Sequence, residues 1–267
     1  MSGLPGVYAT LFRTALAEQL QYRAAMFIWL IGRLVQPVIY LAVWTAVART
    51  KGGAVGSYTP EDFAAYYIVM MMVGHMTFTW NMFEMEFRVR TGAFSPLLLQ
   101  PLHPIHRDIA RNLAYKLMTM IVMLPATALM VLAFSPRFET HLWALLAFIP
   151  VLLLAFLTRF FVEWSLALAA FWTTRVQAIN QVYFMASLFL TGQLAPLELL
   201  PPWLQTAATL SPFRWMVAFP VELFLGRLTP EQTLNGLAAQ AVWLLLGWGL
   251  VALVWSRGAK RYSAVGA

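Results

Sequence analysis

Cysteine is absent from the 267 residues, which excludes disulfide frameworks, thiolate metal sites, iron–sulfur clusters and cysteine nucleophiles together. Charge is scarce. Charged residues make up 11% and hydrophobic residues 61%, whereas soluble domains run to about 25% and about 45–50%. With a mean hydropathy of +0.69, the chain is not built for water. A G-x-x-x-x-G-K-[ST] loop is missing too, and the one glycine cluster, Gly52-Gly53-Ala54-Val55-Gly56, lacks the lysine and hydroxyl that hold phosphate and Mg²⁺. Any ATP must then be handled by another polypeptide, and no catalytic residue or cofactor is assigned to this one. The four histidines, His75, His103, His106 and His141, form no i, i+4 pair with a carboxylate, so no metal site is expected. The first residues lack the basic start, short apolar core and small-residue cleavage site of a signal peptide, so the first span is expected to direct insertion.

What is present is a series of apolar blocks of membrane-spanning length. They lie at about 24–48, 62–83, 109–134, 142–173, 178–194 and 234–256. The expectation is an all-α integral membrane protein in which residues 1–267 form a single domain of six transmembrane helices. Before them, residues 5–22 place Val7, Tyr8, Leu11, Phe12, Ala15, Leu16 and Leu20 on one side and Thr10, Arg13, Thr14 and Glu18 on the other. That pattern predicts an amphipathic helix lying in the membrane interface. Thr59-Pro60-Glu61-Asp62 and Thr229-Pro230-Glu231 each offer a hydroxyl cap, proline at the first helical position and carboxylates that suit a helix N-terminus. They predict sharp starts for the second and sixth spans.

Basic residues near the span ends set the orientation. With the N-terminus inside, the cytoplasmic flanks hold Arg13, Arg23, Arg88, Arg90, Arg107, Arg111, Arg175, Arg257, Lys260 and Arg261, and the outer flanks hold Arg49, Lys51, Arg137, Arg214 and Arg227. This asymmetry predicts both termini in the cytoplasm. The formal charge of +7 needs no nucleic acid to explain it, because anionic lipid at the inner leaflet is a sufficient partner.

Two connections are unlike ordinary loops. Residues 84–106 form a cytoplasmic loop in which Gly92 permits a turn, Ser95-Pro96 reads as an N-cap followed by proline, and Pro101 and Pro104 stop any long continuation. A short helix around 96–100 would carry Leu97, Leu98 and Leu99 in an arginine-rich setting. Such a patch fits a docking surface for another protein, and it equally fits leucines folded back into the headgroup region. Residues 192–233 precede the last span. They are too apolar for an exposed loop and too broken by Pro196, Pro201, Pro202, Pro212 and Pro220 to cross the membrane as one helix. A re-entrant pair of half-helices on the outer side is expected, with Trp203 and Trp215 at the interface.

At these two segments the chain resembles a known family. The run Arg90-Thr91-Gly92-Ala93-Phe94-Ser95-Pro96-Leu97-Leu98-Leu99-Gln100-Pro101-Leu102 resembles the G-x-hydrophobic-x-x-L-L-x-x-P-L segment of ABC-2-type permeases, particularly a branch of uncharacterised bacterial proteins. The stretch from Pro196 through Pro201-Pro202-Trp203 to Pro212-Phe213 looks like the outer re-entrant segment of the same superfamily, whose members share a type V exporter fold. The resemblance implies that Gly92, Ser95, Pro96, Leu97, Leu98, Leu99, Pro101 and Leu102 form a coupling helix against a separate ATPase. Gln100 stands where that branch commonly has arginine. It implies a pair of ATPase subunits carrying ATP and Mg²⁺, and a second permease, either another copy or a sister chain. It also implies export across the bacterial inner membrane, and the aromatic content of 15% fits an amphipathic, lipid-like or drug-like substrate.

Charged residues inside spans are costly and usually face an interior or a cavity. Arg159 and Glu163 stand four apart in the fourth span and can meet on one helix face. Arg33 lies at similar depth on the antiparallel first span, so a cluster of Arg33, Arg159 and Glu163 is expected, read first as a pair that fixes helix register and second as a substrate contact. A secondary transporter or channel would also have broken helices, yet inverted-repeat halves and midplane acidic ion sites are not evident. A membrane-embedded enzyme would need a convergent nucleophile, base or metal set that Arg159, Glu163 and His75 do not supply.

Overall fold

The computed structural model describes residues 4–21, 23–173 and 176–262. Residue 22, the last of the expected surface helix, and Arg175 lie outside the described residues, as does the side chain of Arg23. Among the described residues the fold is all-helical, with 80% of them in helix, and the helices are α1 (Leu4–Gln21), α2 (Arg23–Thr50), α3 (Pro60–Thr77), α4 (Asn81–Arg90), α5 (Ser95–Leu98), α6 (Pro104–Phe134), α7 (Leu142–Ala167), α8 (Gln177–Leu190), α9 (Pro202–Thr209), α10 (Phe219–Phe224) and α11 (Pro230–Gly258). A 3₁₀ turn extends α7 to Phe171, and a π turn over Arg214–Ala218 leads into α10. Pro220 explains that turn, since it has no N–H to give and its ring crowds the preceding carbonyls.

Among the described residues, four helices are long and apolar enough to cross a membrane: Leu30–Thr50 within α2, all of α6, α7 with its extension to Phe171, and α11. The second apolar block departs from expectation. It is not one helix over 62–83 but α3 and α4 with an interruption at Phe78, Thr79 and Trp80. From Phe63 to Met71 every residue of α3 is buried, so this helix is the centre of the bundle. The third block starts earlier than its apolar residues, at Pro104, because His103 caps it through Nδ1, which accepts the Ile105 N–H at 3.2 Å. At 14 residues, α8 is as short as the sequence implies.

Both threonine-proline starts form capping boxes. Thr59 Oγ1 accepts the Asp62 N–H at 3.3 Å and Asp62 returns the contact at 2.9 Å; Thr229 and Gln232 do the same at 3.2 and 2.9 Å.

The connections gather at two ends. Tyr8 meets His106 at 2.5 Å and Ser95 meets Tyr262 at 2.9 Å, so α1, α5, the start of α6 and the residues after α11 share one end. Ser57 and Arg227 both reach Glu198, at 2.9 and 2.8 Å, and the Thr140 hydroxyl donates to the Phe224 carbonyl at 2.6 Å, so the turn after α2, the α6–α7 loop and residues 192–229 share the other. At that second end Gly226 has φ +73°, and a Cβ there would lie 2.3 Å from the Glu139 carbonyl oxygen. The bundle is clamped by α11, whose Gly236, Gly247 and Gly258 recur about every three turns. A Cβ on Gly236 would lie 2.2 Å from the Phe219 ring, and one on Gly258 would lie 2.5 Å from Phe171.

Candidate functional site

The interruption between α3 and α4 is where the buried charges meet. Phe78 has extended backbone, and its N–H still closes α3 by donating to the Gly74 carbonyl at 3.1 Å. Its own carbonyl is released from helical pairing, and Lys116 of α6 takes it with Nζ at 2.8 Å. A freed carbonyl inside an apolar bundle needs a donor, and a buried ammonium needs acceptors, so each meets the other's requirement. Lys116 also stands 4.6 Å from the Phe156 ring centroid.

Glu163 of α7 is fully buried and accepts from three sides. Arg159 Nε donates to Oε1 at 2.7 Å, the Tyr183 hydroxyl of α8 donates to the same oxygen at 3.0 Å, and the Thr79 hydroxyl donates to Oε2. Arg159 reaches on to the Thr77 hydroxyl at 3.3 Å. The expected pair therefore exists, and it ties α7 and α8 to both sides of the α3–α4 break. Arg33 joins differently from expectation. Its Cζ lies 3.4 Å from the Phe78 ring centroid rather than against a carboxylate, and the same ring lies 5.5 Å from Arg159 Cζ. His75 bonds Thr119 at 2.7 Å beside this centre.

Missing from the sequence reading were Lys116, Thr79 and Tyr183. Lys116 was legible by the rule that picked out Arg159, since it stands well inside the third apolar block. Nothing in the sequence placed Tyr183 or marked where α3 breaks.

At the end shared by α1 and α5, Gly92 has φ +74° and turns the chain out of α4. Phe94 is fully buried against Phe171, Trp255 and Tyr262, with ring centroids 5.3, 6.1 and 5.7 Å away. The short helix differs in detail from expectation. It begins at Ser95, which caps nothing and instead bonds Tyr262, and it ends at Leu98. Nor do the three leucines form one patch. Leu97 is buried, Leu98 packs partly against the same core and Leu99 is 87% exposed. Around Leu99 the exposed residues are Pro96, Gln100 and Pro101, with Leu102 half-buried. His106 belongs to α6 rather than to the loop.

Two of the arginines expected on the cytoplasmic flanks are taken by carboxylates. Arg88 pairs with Asp108 at 2.8 Å and Glu84 at 3.0 Å, and Arg111 pairs with Glu84 and, at 2.9 Å, with Glu18 of α1. Trp164 donates to the other Asp108 oxygen at 3.0 Å, so this network locks α1, α4, α6 and α7 at that end.

At the opposite end, residues 192–229 run through short helices broken by turns. Pro201 precedes α9 and Pro202 opens it. Pro196 lies buried ahead of a 3₁₀ turn over Leu197–Leu199, and Pro212 and Phe213 lead into the π turn. Trp203 is 68% exposed, while Trp215 is held inward by donating to the Thr209 carbonyl at 3.0 Å. Three aromatic donors hold the entry to this segment. Tyr66 donates to the Gly192 carbonyl at 2.7 Å, and Trp44 and Tyr67 both donate to the Leu194 carbonyl at 2.8 Å.

A family model described as "ABC-2 family transporter protein" matches residues 34–266. No curated protein matches the chain.

Proposed function

The chain belongs to the ABC-2 transporter family, whose permeases are membrane subunits without a nucleotide-binding domain of their own, and on that premise we propose that it is the six-span permease of an ATP-driven exporter. Its partners are a pair of separate ATPase subunits, which carry ATP and Mg²⁺, and a second permease that is either a copy or a sister chain. The two-ended arrangement of the connections supports six crossings of a bacterial cytoplasmic membrane, with α3 and α4 together making the second and residues 192–229 re-entering from outside. Both termini and the α5 loop then face the cytoplasm. The cargo is an amphipathic, lipid-like or drug-like molecule.

The observation that carries this reading is the way α5 is mounted. Phe94 and Leu97 are sunk into the ends of α7 and α11 while Leu99 stands clear of the surface. A part that is anchored inward and apolar outward can pass a push from a bound ATPase into the bundle. The test is co-purification with an ABC ATPase, identified by peptides of its phosphate-binding loop. Wild-type chain should retain the ATPase. Leu99→Asp should lose it at unchanged melting temperature, and retention at wild-type yield would refute the docking role.

An ATP-independent secondary transporter or channel is the alternative. The broken α3–α4 crossing, with charges at the break, favours it. Transport in proteoliposomes that continues without ATPase and nucleotide would decide for that alternative.

A further inference from the structure

Beside the charged centre lies a partly open cavity of about 50 Å³ whose lining includes Arg33, Gln36 and Tyr40 of α2, Arg159 of α7, and Thr191 and Gln193 after α8. We propose that this cavity receives a small anionic group, a phosphate or carboxylate, of the transported substrate, with Arg33 as its principal contact. The proposal rests on the exporter reading and narrows its cargo.

Charge comes first. Arg33, Lys116 and Arg159 bring three formal positive charges to this centre, against the single carboxylate of Glu163. That carboxylate is already filled by Arg159, Tyr183 and Thr79. Among the described residues no carboxylate lies within ion-pair distance of Arg33, whose contact is the Phe78 ring. A surplus of positive charge away from water is costly unless an anion offsets it. The cavity is where such an anion can stand, because two guanidiniums border it and planar guanidinium forks match carboxylate and phosphate oxygens. Uncharged donors and apolar residues complete the lining. Gln36 already donates to Tyr40 at 3.3 Å, a long bond that leaves its amide free to turn toward a ligand.

Size then limits the ligand. A water needs roughly 10–15 Å³ on this measure, so about 50 Å³ admits a headgroup-sized moiety and excludes a bulky ring system. Whatever apolar body the substrate carries must remain outside the cavity. A cationic amphiphile of equal size would meet Arg33 and Arg159 as like charges.

The test uses the full-length chain in nanodiscs, without and with its ATPase. The probes are tetradecyl phosphate, tetradecylphosphocholine, tetradecyltrimethylammonium and inorganic phosphate, and the readouts are thermal stabilisation and apparent Kd. Tetradecyl phosphate should stabilise the chain while the trimethylammonium probe does not. Arg33→Gln should weaken that binding about tenfold or more, the scale of a lost charge-assisted contact, and Arg33→Lys, which keeps the charge but loses the planar fork, should fall between Arg33→Gln and wild type. Binding of inorganic phosphate with the same Arg33 dependence would identify a free anion as the ligand. Stabilisation by tetradecyl phosphate alone would identify a lipid-like headgroup. Equal stabilisation by the cationic and anionic probes on wild-type chain would overturn the proposal without any variant, as would an Arg33→Gln chain that binds tetradecyl phosphate like wild type. Anion binding is read on the permease alone, so a missing ATPase partner would refute the exporter reading without touching this result.

Discussion

Glu163 shows how one side chain can hold several helices, because its two oxygens take donors from α7, α8 and the α3–α4 break. Replacing it by alanine leaves Arg159 buried without its counter-charge, and truncating one member of a buried pair costs on the order of 3–5 kcal/mol. We predict a large fall in melting temperature in detergent for Glu163→Ala and a smaller one for Glu163→Asp; unchanged stability with lost transport would instead make Glu163 a substrate contact. The leucines of the α5 segment split in the same way. Leu97→Ala removes a buried group and should destabilise the chain by about 2–5 kcal/mol. At Leu99, 87% exposed, alanine should leave the melting temperature unchanged and act on ATPase retention alone. A melting curve for each variant beside its pull-down separates the two roles.

Helix ends and crossings carry the next set of consequences. The cap of α6 depends on an unprotonated His103, since Nδ1 must accept the Ile105 N–H. Burial, and secondarily the neighbouring His106, push the His103 pKa below its ordinary value. The neutral form is therefore the one the fold favours, so stability is complete above the ordinary imidazole pKa and falls as the pH drops below about 6.5. A melting-temperature profile from about pH 8 to about pH 5 should slope downward toward acid. His103→Asn, which caps without titrating, should flatten it; an identical slope in that variant would assign the effect elsewhere. On α11, Gly236 touches the Phe219 ring with no room for a methyl group, so Gly236→Leu should separate α11 from α10 and α7 and lower yield of folded protein by size-exclusion chromatography. At Gly226 even alanine is opposed twice, by φ +73° and by the Glu139 carbonyl.

The arrangement of the whole molecule concerns its two ends and which of them faces the cytoplasm. The absence of cysteine makes this directly measurable. Single cysteines at Ser95 and Gly53 should behave oppositely toward an impermeant thiol reagent in intact cells, with Gly53→Cys labelled and Ser95→Cys protected. Labelling of Ser95→Cys from outside would invert the orientation and remove α5 from any cytoplasmic partner.

Membership of the all-helical membrane class, the hydroxyl caps at Thr59 and Thr229, the turn at Gly92 and the Arg159–Glu163 contact were all legible in the sequence. Each depends on neighbours within a turn or two of helix, or on hydropathy summed along the chain, and both are local properties. Tertiary structure alone decided the rest. The break at Phe78 forms because Lys116, from another helix, satisfies the carbonyl that the break exposes. Leu97 and Leu99 part company because Phe94 anchors the turn on rings from α11 and beyond. Arg33 stands over Phe78 rather than against Glu163 because Tyr183 and Thr79 had already filled that carboxylate. In each case the deciding partner is remote in sequence, and no local pattern can report which of several chemically suitable groups the packing brings into reach.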